Sequence, residues 1–268
     1  MKRSAVIAAV VLALLAAFVF IAAPVVCNQA LLIDNVHWEG YPLPPCFLDA
    51  TNCGGHVLGT DENGRDLAAR LIAGGSVTLG TALLALLIEL ALAIGLSVLD
   101  RHGGRALEYV ITAFAQGMNA LPRVPFALLL ASITYSMMPH LVWPNTFEIA
   151  AWFGVIFWPQ AFRAFRAFRV RALPSGVVRQ GIADLMTIVL VSSTIEFLGF
   201  GHVPPTPTWG NMLANMQTNI EIAWWASSFP AACIFVTVLL LGIVRRGLPP
   251  ARAESGEREA SSVAPSPA

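Results

Sequence analysis

Residues 57–79 read VLGTDENGRDLAARLIAGGSVTL, a polar, glycine-bearing stretch that separates two long apolar segments. A second stretch, residues 197–213, reads FLGFGHVPPTPTWGNML and also lies between apolar segments. Gly59 and Gly64 permit tight turns, and the DLAARLIAGG run is typical of a short helix. Prolines stiffen the second stretch. We therefore predict two ordered loops at the ends of apolar helices.

Charged residues in the first loop predict specific contacts. Asp61 is placed to cap the helix that DLAARLIAGG suggests, because aspartate is a favoured N-cap residue. Asp66 and Arg70 are four residues apart, which predicts an ion pair along one helix face.

The composition of the chain indicates a membrane protein. Of its 268 residues, 56% are hydrophobic and only 12% are charged, whereas soluble domains contain about a quarter charged residues. The formal net charge is zero, so composition suggests neither a nucleic-acid surface nor a surface for acidic substrates.

Six apolar segments have the length and character of transmembrane helices, since a bilayer core about 30 Å thick needs about 20 helical residues. We place them at residues 4–26, 75–99, 106–137, 147–161, 181–199 and 226–244. The fifth is the shortest apolar run and is flanked by Asp184 and Glu196, so a buried or interfacial helix is its alternative. The first is interpreted as an uncleaved anchor, with a signal peptide as the alternative.

Basic residues predict the orientation, because Lys and Arg are retained on the cytoplasmic side. With six spans and the N-terminus inside, the external segments hold only Arg65 and Arg70. The cytoplasmic segments hold Lys2, Arg3, Arg101, Arg105, Arg163, Arg166, Arg169, Arg171, Arg179, Arg245, Arg246, Arg252 and Arg258. We therefore predict a multi-pass protein of a bacterial plasma (inner) membrane with both termini cytoplasmic.

The two loops together resemble the signature loops of the permease subunits of dipeptide, oligopeptide and nickel ABC importers. The matching positions of the first loop are Leu58, Gly59, Thr60, Asp61, Gly64, Arg65 and Asp66. Those of the second are Phe197, Leu198, Gly199, Pro204, Pro205, Pro207, Trp209 and Gly210. The resemblance implies an all-α, polytopic membrane protein with the fold of a type I ABC importer permease.

The resemblance also implies a function and partners. A second, homologous permease subunit would enclose the translocation path, two ATP-binding subunits would hydrolyse ATP, and an extracytoplasmic solute-binding protein would deliver a peptide or a related solute. Membrane lipids surround such a subunit, and we expect no cofactor and no nucleic acid. The alternative is a transport-inactive accessory or regulatory subunit of such a complex.

The chain departs from that family at its cytoplasmic loop. Family members continue for roughly thirty residues after the second inner arginine and form a coupling helix that contacts the ATPase, whereas Arg166 is followed almost at once by AFRVRALPSG. Ser192 also replaces a common acidic residue, and Glu196 replaces a usual serine. The accessory-subunit alternative rests on this shortened loop.

The remaining inner loop has basic and aromatic residues at helical spacing, which predicts neighbouring basic and aromatic stripes. A remodelled ATPase contact and an interfacial helix that binds anionic lipid headgroups are equally favoured. The candidate residues are Arg163, Phe165, Arg166, Phe168 and Arg169.

Glu89 and Arg123 lie inside predicted helices, where charges are costly unless they face a cavity or a partner. One interpretation places them along the translocation path, in contact with the termini of a peptide. The favoured alternative is a structural pair, or groups beside a helix kinked by Pro122 and Pro125.

Neither a catalytic site nor a metal site is predicted. The chain lacks a Gly-rich loop ending in Gly-Lys-Ser or Gly-Lys-Thr, so it should not bind ATP by itself. Its histidines do not have the spacing of a zinc site. Cys46 and Cys53 share the outer loop, where a disulfide and two free thiols remain open alternatives.

These predictions divide the chain into four parts. Residues 1–26 form an N-terminal transmembrane anchor, and residues 27–74 form an extracytoplasmic loop containing LGTDENGRD. Residues 75–248 form a permease core of five transmembrane helices. Residues 249–268, rich in Pro, Ser, Glu and Arg, form a disordered cytoplasmic tail.

Overall fold

A computed structural model describes residues 3–34, 42–137, 146–167, 174–202, 204–216 and 220–248. Its regular structure is helical throughout these ranges, with two isolated β-bridges near the first loop. The helices are α1 (Arg3–Val26), α2 (Leu67–His102), α3 (Gly104–Ala120), α4 (Arg123–Met137), α5 (Thr146–Ala167), α6 (Pro174–Phe197), α7 (Trp209–Asn215) and α8 (Trp224–Gly247). The predicted tail, 249–268, lies outside the described residues.

Helix α2 begins earlier than the sequence predicts. Asp66 is its N-cap and accepts a hydrogen bond from the backbone N–H of Ala69 at 2.7 Å, which satisfies an otherwise unpaired amide of the first turn. Residues 67–74, which the sequence assigns to the outer loop, are therefore the first two turns of α2. The helix ends at His102, before Gly103.

The predicted third span, 106–137, is two helices rather than one. Helix α3 ends at Ala120, its C-cap residue Leu121 has an extended ψ of 134°, and α4 begins at Arg123. Pro122 explains the break, because proline disfavours the helical conformation of the residue before it and lacks an N–H. The kink expected at Pro122 is therefore a complete interruption.

Four described helices are long and apolar enough to cross a membrane: α1, α2, residues 176–197 of α6, and α8. The fifth predicted span, thought the least secure, is among them as part of α6. The predicted fourth span corresponds to α5, which is longer than expected but carries Glu148 and Arg166 near its ends. The protein is an all-α, polytopic membrane protein.

Helix α2 is at the centre of the bundle and packs against α1, α3, α5, α6 and α8. Its contact with α5 depends on Gly154, where a Cβ atom would lie 2.5 Å from Ile88 Cγ2 and 3.2 Å from the Glu89 backbone nitrogen. The side chains of Phe153, Phe157 and other apolar residues fill the same interface. Two helix backbones therefore approach closely at mid-bundle.

Helix α1 packs on the bundle along one narrow face. Ala5, Ala8 and Ala23 are buried, whereas Leu14 and Ile21 expose 65% and 75% of their surface. An apolar helix exposed over most of its circumference suits a hydrocarbon environment.

Candidate functional site

Asp61 is the centre of the first signature loop. Its side chain is buried, and it accepts hydrogen bonds from the backbone amides of Asn63 and Arg65 and from Arg65 Nε at 2.7 Å. Arg70 Nε lies 3.0 Å from Asp61 Oδ2, in ion-pair contact. One carboxylate therefore holds the turn and two buried arginines together.

Two predictions about this loop were wrong. Asp61 does not cap α2, because Asp66 immediately precedes the first helical residue and its carboxylate reaches the amide three residues later. Arg70 pairs with Asp61 rather than with Asp66, since the cap hydrogen bond directs the Asp66 carboxylate toward the helix backbone. Arg70 also donates to the Ala30 carbonyl at 3.3 Å and so contacts the segment after α1.

His56 forms a bridge that the sequence did not predict. Its Nδ1 lies 2.7 Å from Asp66 Oδ2, and its Nε2 lies 3.1 Å from Asp34 Oδ2. Burial alone would lower the pKa of His56, but hydrogen bonds to Asp66 and Asp34 and the charges of both carboxylates outweigh it and raise the pKa. A histidine between two carboxylates donates to both only when both ring nitrogens are protonated.

A disulfide and a close backbone contact hold other parts of the same loop. Cys46 and Cys53 form a disulfide, which is one of the two alternatives left open by the sequence. Gly59 has a φ of +79°, and a Cβ atom there would lie 2.5 Å from the Leu43 carbonyl oxygen. Glycine is therefore required at this position for both conformation and space.

The second signature loop docks on the first half of α2. The Trp209 backbone N–H donates to Thr78 Oγ1 at 3.1 Å, and its indole Nε1 donates to the Leu71 carbonyl at 3.0 Å. Thr208 and Asn211 form a capping box at the start of α7. The loop is thus held by directional contacts to a transmembrane helix.

Glu196 and His202 link the end of α6 to the same loop. Glu196 Oε1 lies 2.8 Å from His202 Nδ1, and both side chains are buried. The His202 Nε2 lies 3.2 Å from Thr146 Oγ1 at the start of α5. Glu196, which departs from the family pattern, therefore has a partner within this chain.

Both signature loops meet over α2. The space between them is lined by Asp61, Arg70 and Met212, among others. A wider cleft of about 530 Å³ lies beside them, between α1, α2 and the Pro205–Pro207 segment. Sequence positions more than a hundred residues apart thus form one surface at this end of the bundle.

The opposite end of the bundle holds the candidate coupling residues. Arg166 contacts the buried Asp100 carboxylate of α2 at 3.3 Å, and it also contacts Glu108 and Thr112 of α3. The remaining candidates, Phe168 and Arg169, lie outside the described residues. Arg166, in α5, thus contacts both α2 and α3.

Two neighbours of Arg166 differ in exposure. Arg163 is exposed, and its Nη2 donates to Asn119 Oδ1 at 3.1 Å. Phe165 packs on an apolar cluster that contains Trp158 and Phe162.

Glu89 and Arg123 are not paired with each other. Arg123 places its guanidinium 4.8 Å from the centre of the Phe157 ring, in a cation–π contact. Glu89 is fully buried in α2 and faces Asp184 of α6. Asp184 was noted in the sequence only as a flanking residue, because pairing between distant helices leaves no local signal.

The described residues contain no group of three or more His, Cys, Asp or Glu side chains arranged to hold a metal ion.

Comparison with characterised protein sequences identifies relatives over most of the chain. The di/tripeptide transport system permease protein DppC of Pseudomonas aeruginosa (strain UCBPP-PA14) is 30% identical over 229 residues, covering 76% of this chain and 74% of the relative. The oligopeptide transport system permease protein OppC of Escherichia coli (strain K12) is 27% identical over 274 residues, covering 92% of this chain and 85% of the relative. No family model matches the chain.

Proposed function

The chain belongs to the family of dipeptide and oligopeptide ABC importer permeases, and we propose that it is one of two transmembrane permease subunits of a complex that imports peptides or a related solute. The observation that carries this proposal is the meeting of the two signature loops over α2 through Asp61 and Trp209. The similarity to peptide permeases extends over the same region.

The partners follow from the architecture of such importers. A second, homologous permease would complete the path, separate ATP-binding subunits would supply energy, and an extracytoplasmic solute-binding protein would deliver the solute. The largely exposed apolar surface of α1 supports contact with lipid or with a second subunit. In this proposal the chain itself carries no hydrolytic step.

Co-purification tests the assembly. The chain is expressed with the products of its neighbouring genes, extracted in mild detergent and isolated through an affinity tag. We expect a homologous permease and ATP-binding subunits to co-elute with it. A well-behaved monomer that transports substrate in vesicles without ATPases would contradict the proposal.

The proposed orientation places both signature loops outside the cytoplasm and both termini inside, in a bacterial inner membrane, with α3–α4 and α5 completing six spans. Single cysteines at Asn52 and Ser255, in a variant lacking the native cysteines, test it with an impermeant thiol reagent. Position 52 should be labelled in intact cells, and position 255 only after lysis. Labelling of position 255 from outside would contradict this topology.

A transport-inactive accessory subunit is the second candidate. Only residues 168–173 separate α5 from α6, and Arg166 is engaged within the chain. For a chain that does take part in transport, the same two features lead us to propose that the partner permease carries the main ATPase contact. Arg163 would then contact anionic headgroups or the ATPase.

The coupling proposal is tested by replacing Phe165 and Phe168 with alanine and measuring uptake and ATP hydrolysis. Both activities should change little, whereas changes in the homologous loop of the partner should uncouple them. Loss of ATPase co-purification from the Phe165 and Phe168 changes would place the contact in this chain.

Arg123 and Glu89 remain candidates for the translocation path. In the described conformation Glu89 is buried and Arg123 is partly exposed, so contact with a peptide would require α2 and α4 to separate from their neighbours. A selective change in KM for peptides upon Arg123→Gln would support this role.

A further inference from the structure

Two carboxyl groups face each other inside the helix bundle. Glu89 of α2 and Asp184 of α6 expose 0% and 1% of their surface, and each is within electrostatic reach of the other. Both lie in helices long and apolar enough to cross a membrane. Two ionised carboxylates at this position would repel each other without water to screen them.

The surroundings of the pair are unequal. Both Asp184 oxygens accept hydrogen bonds from the Gln180 amide, at 2.9 and 3.0 Å. Neither Glu89 oxygen accepts a hydrogen bond from an N–H or hydroxyl group in the described part of the chain. Asp184 is therefore arranged as a hydrogen-bond acceptor. The Glu89 carboxyl can take part in a hydrogen bond only through its own O–H group.

The positive charges near the pair are Arg123 of α4 and Arg245 of α8. Neither is in ion-pair contact with Glu89 or Asp184 among the described residues. The guanidinium of Arg123 stacks on Phe157 instead. Both arginines thus act on the pair at a distance, without neutralising a particular oxygen.

Helices pack closely around Glu89, whose side chain is fully buried. The α2–α5 contact at Gly154 leaves no space for a Cβ atom beside Ile88 and the Glu89 backbone. A carboxyl group that faces a carboxylate in such a place can form a hydrogen bond only by donating its own O–H.

We propose that Glu89 and Asp184 form a proton-binding site in which the Glu89 carboxylic acid donates its O–H to the Asp184 carboxylate. The bound proton joins α2 to α6. When the two helices separate, the proton passes to water and two carboxylates remain, which then repel each other.

If this site exists, a proton is released when the bundle opens. That consequence rests on the proposed transport function, because it assumes that α2 and α6 separate during a cycle. The existence of the site does not depend on transport, since it follows from the closed arrangement alone.

Infrared spectroscopy of the purified complex at neutral pH tests the site directly, because a protonated carboxyl has a C=O stretching band distinct from that of a carboxylate. We expect such a band in the wild type, with a shift in D2O. Glu89→Gln should remove it, since the glutamine amide donates to Asp184 in place of the acid. Asp184→Asn should retain the band at a changed frequency, because asparagine still offers an acceptor oxygen.

Asp49→Asn is the matched control. Hydrogen bonds from Thr51, and then Asn52, lower the pKa of Asp49 to about 2, so this exposed carboxylate contributes nothing to the band at neutral pH. The protonated-carboxyl band of the control should equal that of the wild type. A band that persists in Glu89→Gln, or the absence of any band that the two site variants alter, would overturn the proposal, whether or not the complex transports peptides.

Discussion

The end of the bundle that carries the signature loops and the opposite end, named outer and inner after the proposed orientation, are held together differently. At the outer end, Asp61 and Trp209 connect loops distant in sequence to α2 through several directional contacts. At the inner end, Arg166 contacts Asp100 of α2 and Thr112 of α3, beside an apolar cluster that also joins α2, α3 and α5. The outer end is therefore held mainly by buried polar contacts with α2, whereas the inner end combines a partly exposed arginine with apolar packing and is followed by a short connection between α5 and α6.

Asp61→Asn should have the largest effect on this contrast. The change removes the charge that Arg65 and Arg70 share while both arginines remain buried. Loss of one partner of a buried ion pair costs about 3–5 kcal/mol. We expect a marked decrease in thermal stability and in the yield of the complex, measured by fluorescence-detected size-exclusion chromatography after heating.

Glu62→Gln is the matched control, because it removes a neighbouring carboxylate whose single contact with Arg65 is longer, at 3.4 Å. It should cost much less. Equal effects of the two changes would show that Asp61 is not the centre of the loop.

Gly59→Ala tests the rigidity of the outer end through its backbone. The new Cβ would meet the Leu43 carbonyl oxygen at 2.5 Å, in addition to the strain of a positive φ, which costs about 1–3 kcal/mol. Gly55→Ala has the same strain, at a φ of +85°, but no atom within 4 Å of the new Cβ. Limited proteolysis of the outer loop should increase more for Gly59→Ala, and a larger increase for Gly55→Ala would contradict the close approach.

Arg166→Gln tests the inner end. It removes the contact of Arg166 with the buried Asp100 carboxylate, at a cost of about 1–2 kcal/mol for a partly exposed arginine. Arg163→Gln, three residues earlier on the same helix, loses one contact of an exposed side chain and should leave the melting temperature nearly unchanged. If both variants melt like the wild type, Arg166 does not hold the inner ends together.

The smallest effect is expected from pH, acting on His56. Because contact with Asp66 and Asp34 raises its pKa in the folded protein, its stabilising contribution is complete below the unfolded value and is lost as pH rises through the raised folded value. Hydrogen exchange of the outer loop should therefore accelerate with rising pH by more than the intrinsic rate. His56→Gln should abolish this excess acceleration, with a change in the free energy of unfolding below about 1 kcal/mol. An unchanged excess would show that His56 is not its cause.

The sequence predicts the helices and the two loops because both depend on local patterns. Apolar length places α1 and α8 within a few residues of their observed bounds, whereas at Pro122 the sequence predicts only a kink and the structure has a break before α4. The contacts of Asp61 and the pairing of Glu89 with Asp184 were missed, because they depend on how distant segments meet. For His56 the only available signal was the presence of aspartates in the same loop.

Uptake of a labelled dipeptide into proteoliposomes tests the central claim most directly. Vesicles contain the partner permease and the ATP-binding subunits, with or without this chain, and receive ATP on the cytoplasmic side and the solute-binding protein on the other. We predict uptake only when this chain is present, and loss of uptake with Asp61→Asn. Equal uptake without this chain would contradict its assignment as a permease subunit of the importer.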